Sequence, residues 1–172
     1  AHYGPLLAVC RLLHDGFAAA CFKGHGGRGA FLIDLSRAFE RFLTNSLRAL
    51  FATRPAWSVE VEPGFSIGPT ALQPDLVVRK RGQAWAVLAA KWKSAGTAPD
   101  AADLHQILAY AAVTGANHVG LAYPGRRFAH RILPVAGRDT RVSLFRVRVI
   151  GTDAECSESV TKLARIVRRE FR

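Results

Sequence analysis

Asp75 and Lys91 bracket the stretch of this chain best equipped for chemistry. Within residues 73–93, QPDLVVRKRGQAWAVLAAKWK, two apolar runs (76–78 and 85–90) flank the basic turn Arg79-Lys80-Arg81-Gly82-Gln83. Neither run carries a helical period, so the pair predicts a β-hairpin. Alternate residues of a strand share a face, so positions 89 and 91 point the same way and converge on Asp75 across the hairpin. Glu40 adds a second carboxylate. It borders the buried stripe of a strong helix, with Leu43 and Leu47 three and seven residues on, and a charge there is costly unless a cation or metal meets it. Gln106 and Tyr110, four residues apart on another predicted helix, stack as neighbours on one face together with Asp103.

The elements that must position these groups are legible from periodicity. Residues 3–22 repeat apolar positions at three and four and predict an amphipathic helix, followed by the glycine-rich loop 23–29, which lacks phosphate-loop spacing. The segment FLIDLSRAFERFLTNSLRALF predicts a helix burying Leu35, Phe39, Phe42, Leu43, Leu47 and Leu50, with Asp34 at its start. A strand follows over 57–62, then a Gly/Pro-rich loop over 63–69 and the hairpin. After a turn at 94–99, residues 100–115 predict a helix with core stripe Leu104, Ile107, Leu108 and Ala111. A short buried strand over 118–123 is closed by Pro124-Gly125, and 126–148 reads as two strands carrying seven arginines and one acid, Asp139. Thr152 with Glu155 makes a capping box for a last helix that buries Val160, Leu163, Ala164 and Val167 and exposes Lys162, Arg165, Arg168, Arg169 and Arg172. This alternation predicts an α/β fold, a mixed sheet with helices on both faces.

Composition narrows the class. The 172 residues fit one domain over 1–172, and 49% apolar content with mean hydropathy near zero indicates a globular chain. Twenty-four Lys and Arg against 13 Asp and Glu give a formal charge of +11, as expected of a phosphate-binding protein. Arg126, Arg127 and Arg131 on the strands, and Arg165, Arg168 and Arg169 on the last helix, are the candidate contacts to a DNA backbone. No apolar run is long enough for a membrane span and no leader is evident, so a cytoplasmic location without membrane association is expected. Cys10, Cys21 and Cys156 have no metal or disulfide spacing. Methionine is absent, and the chain is expected to be part of a longer one.

Taken together, Glu40, Pro74-Asp75, Lys91 and Gln106-Ile-Leu-Ala-Tyr110 resemble the PD-(D/E)xK nuclease superfamily, the last piece being similar to the QxxxY motif of its RecB-like branch. More narrowly, FLIDLSRAFERFL, LQPDLVV, VLAAKWK and DLHQILAYA resemble the C-terminal nuclease domain of McrC, the cleavage subunit of McrBC-type modification-dependent restriction systems, over roughly residues 3–125.

The resemblance implies a restriction-endonuclease-like fold, Mg²⁺ (or Mn²⁺) as cofactor, double-stranded DNA as substrate and an AAA+ GTPase of McrB type as partner. Phosphodiester hydrolysis uses a divalent ion to polarise the phosphate and activate water, and such ions take hard oxygen ligands. By resemblance Asp75 is the main ligand and Glu40 a further one, directly or through water, Lys91 orients or deprotonates the water, and Gln106 and Tyr110 position the scissile phosphate or a metal-bound water. The departure is at position 89, where the motif has an acid and this chain has Ala89. A methyl group holds no metal, so impaired cleavage is expected, whether the alanine is an engineered substitution or marks a natural pseudo-nuclease. The alternatives are a catalytically silent DNA-binding or assembly module and a RecB-like DNA-repair exonuclease.

Overall fold

Helix α1, Leu35–Ala52, begins where Asp34 caps it, its side chain accepting from the Arg37 N–H at 3.0 Å. In this computed structural model the described residues are 34–93, 99–135 and 140–169. The expected helix 3–22, the glycine-rich loop 23–29, Cys10, Cys21, Arg172 and most of the turn 94–99 lie outside them. Strands β1 (Trp57–Val61), β4 (Leu76–Lys80), β5 (Gln83–Ala90), β6 (His118–Gly125), β7 (Ala129–Pro134) and β8 (Arg141–Arg148) form one sheet in the order β1-β4-β5-β6-β8-β7. Pairings are antiparallel except β5–β6 and β6–β8, so the sheet is mixed. Helix α2 is Ala101–Thr114 and α3 is Asp153–Arg169.

Side-chain alternation on the strands builds two cores. Leu76, Val78, Ala86 and Leu88 face one side with Phe39, Leu43, Leu47 and Phe51 of α1 and Val160, Leu163, Ala164 and Val167 of α3. Val77, Val87 and Ala89 face the other with Ile107, Tyr110 and Ala111 of α2. Helices therefore cover both faces, and the fold is restriction-endonuclease-like. All described residues belong to one compact unit, Asp34–Arg172.

The hairpin forms where its sequence specifies it. Lys80 pairs with Gln83, and the two residues between, Arg81 and Gly82, have φ of 51° and 80°, the positive pair a type I′ turn demands. The last helix starts at its capping box: the Thr152 N–H donates to Glu155 Oε2 at 2.9 Å and the Glu155 N–H to Thr152 Oγ1 at 3.3 Å.

Three expectations need correction. The loop 63–69 contains strand β2 (Phe65–Ile67), which pairs antiparallel with β3 (Thr70–Leu72) as a separate ribbon, with Phe65 and Leu72 packed toward the α2 core. Leu35 is 49% exposed, because the first turn of α1 lies before the part that packs, while Phe51 takes a place in the core instead. The strand begun at His118 runs on through Pro124 and Gly125.

Candidate active site

Three adjacent strands meet at Asp75. It stands one residue before β4, whose first residue Leu76 pairs with Val61 of β1 and Leu88 of β5. Its own rung therefore carries Glu62 on one flank and Ala89 on the other. Side chains opposite one another in antiparallel pairs stand about 5 Å apart at Cβ. The expected convergence of position 89 on Asp75 follows from this register. The Ala89 methyl is 1% exposed and packed in the α2 core with Val87, Ile107 and Tyr110.

Asp75 is half-buried, and its Oδ2 accepts from the Ala90 N–H at 2.6 Å. Burial pushes its carboxyl above the usual range, and Glu62 adds to the rise; the Ala90 N–H and the Lys91 charge work against it. Among the described residues no cation forms an ion pair with it. Lys91 is anchored through its backbone N–H, which donates to the Ala122 carbonyl of β6 at 2.8 Å, and its Nζ donates to Gln106 Oε1.

Gln106 passes the network on. Its Nε2 donates to the Tyr110 hydroxyl at 2.8 Å, and that hydroxyl donates to the Gln73 carbonyl at 3.0 Å. Tyr110 is buried, so this helix face is not a plain solvated one. Burial first, then the Asp75 charge, raises the Tyr110 hydroxyl above its ordinary value. Gln73 closes the chain by donating from Nε2 to the Glu62 carbonyl at 3.2 Å.

Glu40 reaches the same end from α1, where Phe39 packs on Trp92 at 5.7 Å between ring centroids. Burial raises its carboxyl, and Asp75 and then Glu62 raise it further against Arg37 and Arg41. For both carboxylates burial and like charge outweigh the nearby cations, and the Lys91 ammonium beside Asp75 is bonded to Gln106. The donor set suits a hard divalent cation. Among the described residues no three His, Cys, Asp or Glu side chains close around one point tightly enough to hold a metal by themselves. Mg²⁺ does not require that, since one or two carboxylates with waters and substrate phosphates complete its six positions.

A second polar group braces this arrangement. Asp103, 5% exposed, accepts from the Tyr123 hydroxyl at 2.8 Å and pairs with Lys93 Nζ at 2.7 Å, and Lys93 also pairs with Asp100 at the start of α2. The segment leaving β5 is thereby tied to α2 and β6, which fixes Gln106 opposite Lys91. Sequence reasoning placed Asp103 on the face of Gln106 and Tyr110 but missed its partners Tyr123 and Lys93, and missed Gln73 beside Tyr110 and Glu62 beside Asp75.

The arginines divide. Arg126 and Arg127 follow the end of β6, the end that carries Lys91, and are exposed. Arg131 lies on the edge strand β7 opposite Leu144. Arg165, Arg168 and Arg169 sit at the other end of the sheet, where Trp85 Nε1 donates to the Val167 carbonyl at 2.8 Å and Arg168 lies over Phe51 at 5.9 Å. From Trp85 to Ala90 along β5 is about 17 Å.

Comparison with known proteins bears on this geometry. Residues 1–124 match the family described as McrBC 5-methylcytosine restriction system component. Among solved structures, the chain is similar to one in the refined half-complex from the tetradecameric assembly of Thermococcus gammatolerans McrB AAA+ hexamers with bound McrC, with 19% identity and a TM-score of 0.63. The match covers 80% of this chain and 34% of that one, so this chain spans about a third of its length. At that identity the likeness is one of fold. No curated protein matches.

Proposed function

This chain belongs to the McrBC 5-methylcytosine restriction system component family and is McrC-like, and from that premise we propose that it is a Mg²⁺-dependent endonuclease domain that cleaves the phosphodiesters of double-stranded DNA. The observation that carries the proposal is the gathering of Glu40, Asp75, Lys91, Gln106 and Tyr110 at one end of the sheet, in contact or within electrostatic reach of one another. A divalent ion bound there supplies polarisation of the phosphate and activation of a water. Asp75 and Glu40 would hold it, and its charge would offset the burial and carboxylate repulsion that raise their proton affinities. Lys91, steered by Gln106 Oε1, offsets charge that develops on the phosphate. Tyr110 and the Gln73 carbonyl lock the Gln106 amide in orientation, so its donor and acceptor ends are fixed before substrate arrives. Specificity for modified bases and movement along DNA fall to an AAA+ partner of McrB type, a pairing supported by the bound state of the similar Thermococcus assembly.

The test is Mg²⁺-dependent nicking of duplex DNA by the intact protein with its partner and GTP, before and after Ala89→Asp. Cleavage in either form, lost on Asp75→Asn, is the expected result. Inert protein in both forms, despite duplex binding, would instead favour the silent DNA-binding module that the buried Ala89 methyl suggests.

A further inference from the structure

Ala89 leaves the rung of Asp75 without a carboxylate on its β5 flank, yet the opposite flank has one. Glu62 follows the last residue of β1, and its N–H donates to the Asp75 carbonyl at 2.9 Å, continuing the β1–β4 ladder by one rung. Its backbone has φ of 50°, a conformation glutamate rarely adopts. The Gln73 amide, itself tied to Tyr110 through the Gln73 carbonyl, holds the Glu62 carbonyl in place. The Glu62 charge is felt by both Asp75, just before β4, and Glu40 on α1, so the carboxylate is within electrostatic reach of both. Glu62 is exposed and is in no ion pair among the described residues, so its oxygens are available.

We propose that Glu62 takes the part of the acid missing at position 89, meeting the divalent ion together with Asp75 directly or through a bridging water. This rests on the metal-site reading above and deepens it: the second acid is supplied by the neighbouring strand on the other side of Asp75, and Ala89 is free to serve as core.

The proposal is tested by Mn²⁺ binding to the intact protein, followed by electron paramagnetic resonance and calorimetry rather than by activity. Glu62→Gln, and Glu62→Asn as a second neutral variant whose side chain tolerates positive φ, should each weaken Mn²⁺ binding about tenfold or more. Glu60→Gln, on the same strand, should leave it unchanged, and Ala89→Asp added to Glu62→Gln should restore it. Both Glu62 variants should keep the melting point of the metal-free protein. Binding within twofold of the parent in both Glu62 variants, with loss on Asp75→Asn, overturns the role of Glu62 and leaves the nuclease reading intact. Mn²⁺ uptake that appears only once Ala89→Asp is made overturns it equally. Binding unaffected by Asp75→Asn removes the site itself, and both proposals with it.

Discussion

The two ends of the central sheet crowd like charges and answer the crowding differently. At one end Glu40, Glu62 and Asp75 lie within electrostatic reach of one another, and the fold supplies neutral donors, the Ala90 N–H to Asp75 and the Gln106–Tyr110–Gln73 relay beside it, but no cation ion-paired to them among the described residues. At the other end Arg54, Arg165, Arg168 and Arg169 cluster; burial, then these neighbours, lowers Arg168 from its ordinary value. There the answer is aromatic: Lys80 Nζ lies 4.3 Å from the Trp85 ring centroid and 5.3 Å from that of Trp57, and Arg168 covers Phe51. Aromatic faces satisfy cations within the fold, whereas neutral donors leave carboxylates wanting charge. On the proposed reading an ion would meet that want at the acid end, while the basic end is answered by its own aromatic rings.

The sharpest way to separate the ends is Asp75→Asn. Losing an outer-shell partner of a metal costs 10- to 100-fold in affinity or activity as a rule, so removing a ligand should lower Mg²⁺-dependent cleavage by more than about 100-fold. Duplex affinity should stay within twofold of the parent in a filter-binding assay; a parallel fall would mean that the acid end also organises the DNA track.

Between the ends, Gly120→Ala is the control that should not distinguish them. A Cβ there would lie 2.3 Å from Leu88 Cδ2 and 2.9 Å from Phe145 Cε2, both in the packed core. Overpacking of this kind should cost about 1–3 kcal/mol in denaturant unfolding, with Mn²⁺ affinity per folded molecule unchanged.

A smaller effect is expected from Arg165, Arg168 and Arg169 changed together to alanine. If each meets a phosphate, the slope of log Kd against log salt should shrink by about 2.7, at about 0.9 per lost contact. An unchanged slope would transfer the track to Arg126 and Arg127 at the acid end.

The smallest effect concerns pH. Burial, then neighbouring carboxylates, raises Glu40, and burial with Glu62 raises Asp75. A carboxyl whose folded pKa exceeds its unfolded one holds its proton more tightly when folded. Its contribution to stability is present at low pH and lost as pH rises from the unfolded value through the raised one. The melting-point difference between metal-free parent and the Glu40→Gln/Asp75→Asn double variant should therefore move against the parent as pH climbs through that window. Saturating Mn²⁺ should reverse the trend.

Much of this was legible in the sequence where the signal is local. Periodicity located α1 and α3, Arg81-Gly82 located the hairpin turn, and the alternation of residues 89 and 91 aimed them at Asp75, because each depends only on near neighbours along the chain. Glu62 was not legible, since its importance comes from the pairing of β1 beside β4, a register that chain order does not specify. The burial of Asp103 depended likewise on Tyr123 and Lys93 arriving from other elements. Tyr110 read as a polar-face residue because its hydroxyl is polar, yet the Gln73 carbonyl satisfies that hydroxyl and lets the ring join the core. The β2–β3 ribbon escaped because three-residue strands among glycines and prolines carry too few positions to show a period.

The bond from the Ala90 N–H to Asp75 also has a consequence for selectivity. With Oδ2 so engaged, Asp75 presents only Oδ1 without a competing donor. An ion bound as proposed would meet that oxygen first, a one-oxygen grip that suits a small octahedral ion better than a large one such as Ca²⁺, which often takes both oxygens of a carboxylate. The hairpin backbone would then bias the site by ion size.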